Sequence, residues 1–126
     1  MRVYIAGKWE AKARLVGIAS KLEALGHTVT SRWLKNDVAV ETGAWALMTG
    51  NEASGIAQQD LLDIDAADAL ILDTIDESNT GGREVEYGFA LGRGKIVMVI
   101  GPKRNGFHHL FEGFQGWDEF LTKLGG

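Results

Sequence analysis

The segment Ala69–Ile100, ALILDTIDESNTGGREVEYGFALGRGKIVMVI, decides the fold of this chain. It opens on a continuous apolar run, Ala69-Leu70-Ile71-Leu72-Asp73, and closes on a second, Lys95-Ile96-Val97-Met98-Val99-Ile100. Between them Gly82 to Leu91 reads as a helix that starts directly after the Gly81-Gly82 pair. Short strands without polar alternation are buried on both faces, and a helix between two of them makes the pair parallel through a right-handed crossover.

The same alternation extends outward in both directions. Val3 to Ala6 is a short strand ended by Gly7, and Glu10 to Leu25 carries Leu15, Ile18, Leu22 and Leu25 at helical spacing before the Gly26 stop. His27 to Leu34, with Thr28, Val29 and Thr30, reads as a second strand parallel to the first. Residues 35–50, polar and then rich in Ala and Trp, read as a loop with some helix, placed to form a lid. Glu52 to Ala67 is the next expected helix, and Trp117 to Leu124 closes the chain after a short fifth strand near Phe114. The expectation is an α/β fold: a single-domain Rossmann-like or flavodoxin-like three-layer sandwich over residues 1–126, with a four- to five-stranded parallel sheet.

Composition narrows the function classes. A chain of 126 residues that is 45% apolar and 24% charged is an ordinary globular domain, large enough to bury a core. Its formal charge of -4 and lack of clustered Lys and Arg speak against a nucleic-acid partner. With no cysteine there is no disulfide framework, thiolate metal site or cysteine nucleophile. The apolar run Val3 to Ala6 is too short for a signal peptide and no run reaches membrane-helix length, so a cytoplasmic protein without membrane partners is expected.

Ligands of such sheets bind beyond the carboxyl ends of the strands, which directs attention to Gly7 and Lys8, Arg32 to Leu34, Asp73 to Gly82, and Gly101 to His109. Asp60 joins this set because it falls within the apolar stripe of Ala53, Ile56, Ala57, Leu61 and Ile64, where a lone carboxylate costs several kcal/mol. The plainer reading puts it at the end of the stripe, reaching solvent. Glu84 and Glu86 are about 200° apart on a helix, so at most one faces a given pocket, and periodicity does not choose between them. Gly81-Gly82 lets a ligand approach a helix N-terminus, yet it is neither a Walker loop nor a dinucleotide fingerprint, and no nicotinamide or other cofactor is expected. His108 and His109 are adjacent and lack a third ligand at suitable spacing, so no metal site is expected; a polar contact to ligand or neighbouring subunit suits them better than a metal, with plain surface histidines as the default. Tyr4 directs a hydroxyl toward the sheet's carboxyl edge or serves the core, and Trp33 is a stacking surface or a core cover. Asp63, Asp65 and Asp68 fan around their helix as a solvated face.

Three elements in order resemble a known family. Val3-Tyr4-Ile5-Ala6-Gly7 comes first, then the Asp60-Leu61-Leu62 helix with Asp60 eight residues ahead of Asp68-Ala69-Leu70-Ile71-Leu72. The last is Gly81-Gly82 followed by Glu86-Tyr87-Gly88-Phe89-Ala90-Leu91-Gly92-Arg93-Gly94-Lys95. Together they resemble the nucleoside 2-deoxyribosyltransferase superfamily, which includes the 2'-deoxynucleoside 5'-phosphate N-hydrolases. The resemblance implies that Glu86, rather than Glu84, is a nucleophile toward C1' of a deoxyribosyl group, with Asp60 as proton donor or base anchor and Tyr4 beside the nucleophile. It implies a small-molecule nucleoside or nucleotide substrate, held by Gly7, Lys8, Trp33, Thr80, Gly82, Asn105 and His108. It further implies a homodimer or larger homo-oligomer with shared active sites, to which Asn105 to His109 contribute. One departure bears on the substrate. The transferases often carry an Asp six residues before the nucleophile, where this chain has Thr80. A hydroxyl there does not repel a 5'-phosphate as a carboxylate does, so Thr80 and Lys8 favour a nucleotide.

Overall fold

The structure is a computed structural model that describes residues 1–35, 48–78 and 80–125. Five strands form one parallel sheet: β1 (Arg2–Ala6), β2 (Thr28–Val29), β3 (Ala69–Asp73), β4 (Ile96–Ile100) and β5 (Gly113–Phe114), in the order β2-β1-β3-β4-β5. Four α-helices connect and close it: α1 (Lys12–Ala24), α2 (Gly50–Ala66), α3 (Gly82–Gly92) and α4 (Trp117–Gly125). Right-handed crossovers put α2 and α3, which step the chain across to β3 and β4, on one face, and α1, which steps the other way to β2, on the opposite one. α2 and α3 pack against each other and against β1, while the last residues of α4 reach Leu25 at the end of α1. The result is the α/β three-layer sandwich with a flavodoxin-like strand order.

β1 and β3 form the centre of the core. Val3 to Ala6 and Leu70 to Leu72 are fully buried, in register Tyr4 to Leu70 and Ile5 to Ile71. The order reverses between β1 and β3, so the loops leaving these two strands diverge and open a crevice between them.

Two expectations need correction here. The strand expected over His27 to Leu34 pairs only at Thr28–Val29, and Arg32–Leu34 turns into a 3-10 helix. The Ser31 hydroxyl explains the break: it takes the Ile5 amide hydrogen at 2.7 Å, a bond a continuing strand supplies from its backbone. The helix expected from Glu10 begins as a 3-10 turn, Trp9–Ala11, before α1. α2 starts at Gly50, where Thr49 and Glu52 form a reciprocal capping box (3.1 and 3.3 Å). The proposed lid falls for the most part on residues 36–47, outside the described residues. Among the described residues no helix is long and apolar enough to cross a membrane.

Candidate active site

The crevice widens into a cleft of about 490 Å³ lined by Gly7, Trp9 and Trp33 at one end, by Ala53, Ala57, Asp60 and Leu61 along α2, and by Ser78, Thr80, Gly82, Arg83, Val85 and Glu86 around the start of α3. The stripe on α2 that seemed to misplace Asp60 is therefore divided. Ile64 is fully buried in the core, whereas Ala53, Ala57, Asp60 and Leu61, nearer the N-terminus, border the cleft.

Three ionisable side chains meet at the floor. Tyr4, fully buried in β1, donates its hydroxyl to Glu86 Oε2 at 2.5 Å, and the Asp60 and Glu86 carboxyls share a hydrogen bond. Two carboxylates cannot hydrogen-bond to each other, so one of them carries a proton. Burial raises Glu86 to about 8, with the Asp60 charge adding to it and the Tyr4 hydrogen bond opposing. Burial likewise raises Asp60 to about 7, with the Asp63 charge adding and Glu86 and Arg32 opposing. Tyr4 is pushed well above the usual phenol range, first by burial and then by Glu86, and so remains a donor. The pair titrates as a unit across neutral pH. Glu86 accepts from Tyr4, Asp60 Oδ1 is buried without a partner, and the bond between the two carboxyls raises Glu86 and lowers Asp60. Around neutral pH the two carboxyls therefore hold one proton between them.

Gly7 fits the cleft for a steric reason, because a Cβ there would lie 2.7 Å from Leu15 Cδ1. Gly81 caps α3 with a left-handed φ of 77°, and Gly82 follows at the helix start. Trp33 stacks on Trp9 with centroids 6.0 Å apart and planes at 25°, anchored by an indole bond to the Ile5 carbonyl (2.9 Å). Thr80 is exposed at the rim, with its hydroxyl 3.2 Å from that of Ser78.

The structure does not bring Lys8, Asn105 or His108 to this cleft. His108 is fully buried behind α3, and its Nε2 lies 2.9 Å from Glu84 Oε2, with Asn105 Nδ2 3.3 Å from the same oxygen. Within the segment expected to serve a neighbouring subunit, Asn105 and His108 thus bond to Glu84 of their own chain, while Phe107 is exposed. The reading of Asp63 as solvated is also corrected: it is buried and paired with Arg32 (2.8 Å), because its turn of α2 faces the 3-10 turn and not solvent. Sequence reasoning missed Trp9, Arg83 and Val85 as lining residues, while Ser78 lies in the segment from Asp73 to Gly82 that it pointed to. Arg83 had a signal, since a cation in a first helical turn opposes the helix dipole; the structure buries it with its guanidinium bonded to the Asp73 and Asp76 carbonyls (3.1 and 2.7 Å). Trp9 had none.

The sequence pattern of the nucleoside 2-deoxyribosyltransferases matches residues 3–118. The chain belongs to that family. Its fold is similar to that of a 2-deoxyribosyltransferase from Bacillus psychrosaccharolyticus, with 26% identity and a TM-score of 0.73 over 96% of this chain and 90% of that one. A 2-deoxyribosyltransferase from Leishmania mexicana is 16% identical with a TM-score of 0.70, covering 98% of this chain and 95% of the other. A CMP N-glycosidase from Clostridium botulinum is 19% identical with a TM-score of 0.63, covering 98% of each chain. No curated protein sequence matches the chain. Family membership and the first of these neighbours support an activity of the deoxyribosyltransferase kind.

Proposed function

We propose that this protein breaks the N-glycosidic bond of 2'-deoxynucleosides or their 5'-monophosphates and passes the deoxyribosyl group to another base through an ester on Glu86. The observation that carries this reading is the floor of the cleft, where Glu86 accepts from Tyr4 and shares a proton with Asp60.

In this scheme Glu86 Oε attacks C1' from one face while the C1'–N bond breaks and its electron pair leaves with the base. Asp60 hands its proton to the departing base, which leaves neutral. An incoming base then attacks C1', Glu86 leaves as carboxylate, and the proton lost by the new base returns to Asp60. Two inversions restore the starting configuration, as in retaining glycosidases. The carboxyls of those enzymes stand about 5–5.5 Å apart, whereas Asp60 and Glu86 are in hydrogen-bond contact. Substrate binding therefore parts them, and the base takes the place of Glu86 as the acceptor of Asp60's hydrogen bond. Tyr4 keeps Glu86 in line throughout. Trp33 and Trp9 offer a flat apolar wall at the end of the cleft that suits a planar base.

A second reading, hydrolysis of deoxynucleoside 5'-monophosphates, draws on the paired hydroxyls of Ser78 and Thr80 beside the N-terminus of α3, a setting suited to an anion. A non-catalytic nucleotide-binding module accounts less well for two half-buried carboxyls in contact, which lower stability and which mere binding does not require. Assembly into a homodimer or larger homo-oligomer with shared sites goes with the first reading, supported by the exposed Leu62 and Val85 on the two helices that flank the cleft.

Incubation with each deoxynucleoside and each deoxynucleoside monophosphate, with and without a second free base, separates these readings by chromatography. Transfer is expected to give a new nucleoside only when the second base is present. Free base with deoxyribose 5-phosphate selects hydrolysis, and binding without turnover selects the module.

A further inference from the structure

Asp63 lies one turn beyond Asp60 on the same side of α2, and its surroundings are of a different kind. Its carboxylate accepts from the Arg32 amide at 3.0 Å and from Arg32 Nε at 2.8 Å, and its carbonyl accepts from the Thr30 hydroxyl at 2.9 Å. α2 thus grips residues Thr30 to Arg32 at three points, immediately ahead of Trp33 in the cleft wall. A well-packed apolar pair would secure the turn as firmly, because burying an ion pair offsets much of its own attraction. What the ion pair supplies in addition is an electric field at a site that depends on one proton. The charged and titratable groups facing Asp60 are Glu86 from α3, Tyr4 from β1, Asp63 on its own helix and Arg32 from the turn. Glu84 faces away, toward His108.

We propose that Asp63 is a positioning residue for the Asp60–Glu86 pair: by clamping Arg32 against its own carboxylate it fixes the turn that carries Trp33 and cancels the Arg32 charge that would draw the shared proton off Asp60. The inference rests on the reading of Asp60 and Glu86 as the reacting pair. The Asp63 and Arg32 charges act on Asp60 in opposite directions. Without the Asp63 charge, Arg32 stabilises an ionised Asp60 and the pair releases its proton at lower pH. Without Arg32, the Asp63 charge destabilises an ionised Asp60 and the pair holds its proton to higher pH. Arg32 is about half exposed, at 53%, so water screens the effect, and a shift of about 0.5–1 pH unit is expected in each direction.

The test uses the full chain as wild type, Asp63→Asn and Arg32→Gln, with carboxyl carbons labelled and the Asp60 and Glu86 signals assigned through Asp60→Asn and Glu86→Gln. Asp63→Asn keeps an oxygen for the Arg32 amide while removing the charge. Carbon NMR titration is expected to move the pair's transition down in Asp63→Asn and up in Arg32→Gln, and the pH profile of kcat/KM to follow in the same directions. A merely structural clamp would lower kcat or thermal stability in both variants and leave both titrations where they are. Unmoved titrations, or shifts of the same sign in both variants, overturn the proposal. Should Asp63→Asn not fold, the sign of the Arg32→Gln shift decides alone. Wild-type protein that turns over no deoxynucleoside or nucleotide refutes the proposed function, and the NMR titration still decides whether Asp63 and Arg32 set the pair's protonation.

Discussion

Glu84 and Glu86 stand two residues apart in the first turns of α3 and face in nearly opposite directions, with opposite surroundings. Glu84 meets hydrogen-bond donors. The His108 ring accepts the Arg104 amide hydrogen at Nδ1 (3.0 Å), so its own proton is on Nε2, aimed at Glu84, and Asn105 Nδ2 reaches the same oxygen. Glu86 meets a tyrosine hydroxyl on one side and another carboxyl on the other. A carboxylate surrounded by donors is committed to holding its neighbours in place. One set against a second acid is poorly compensated, keeps a lone pair for attack, and has a proton donor beside it.

The largest effect that can break this contrast is on turnover. Glu86→Gln is expected to lower kcat by about a thousandfold or more, whereas Glu84→Gln should keep it within several-fold and lose about 1–2 kcal/mol of stability as His108 gives up its charged acceptor. Steady-state kinetics and denaturant unfolding of both variants measure this, and an inactive Glu84→Gln with an active Glu86→Gln would reverse the assignment. Asp60→Asn comes next, with kcat expected to fall by about a hundredfold or more and the alkaline limb of the pH profile to vanish, since the amide has no proton to lose. A retained alkaline limb would point to another acid.

Tyr4→Phe sharpens the contrast at smaller scale. The ring still fills its place beneath the cleft, so stability should change little, while loss of the hydroxyl's bond to Glu86 should cost about tenfold in kcat and raise the pH at which the pair ionises. The smallest effect is on stability against pH. Both carboxyls have folded pKa values, about 7 and about 8, above their unfolded ones. Their contribution is thus fully present below the unfolded values and is lost as pH rises through the folded ones. An Asp60→Asn, Glu86→Gln double variant should match wild type near pH 4 and melt higher by about 5 °C near pH 9, read by differential scanning calorimetry. A gap that narrows with rising pH would contradict the protonation assigned to this pair.

The central strands were legible from their apolar runs: Ala69 to Asp73 is buried along its whole length, and β4 is buried at Val97, Val99 and Ile100, with only Ile96 exposed at its start and Met98 half-buried. The edge was harder. His27 to Leu34 has the composition of a strand, but its pairing ends when the Ser31 side chain takes the Ile5 amide, and a hydroxyl acting in place of a backbone carbonyl leaves no periodic trace. The site divides the same way. Asp60 was conspicuous as a carboxylate in an apolar stripe, a local conflict that sequence displays. Asp63, three residues later, looked like an ordinary solvated acid, since its partner Arg32 lies in a segment that reaches α2 only once the sheet has formed.

The alternation of buried strands and helices, the strand ends beyond which a ligand binds, and the family pattern that singles out Glu86, Asp60 and Tyr4 were all readable from the residues alone. The folded chain adds that Tyr4 and Asp60 both meet Glu86, that Glu84 turns away to His108, and that Asn105 and His108 bond to Glu84 of their own chain. The reason is range. Burial along a strand or helix repeats every two or three to four residues and is written locally. A hydrogen bond between residues 82 apart, as between Tyr4 and Glu86, depends on how the whole sheet brings its strand ends together.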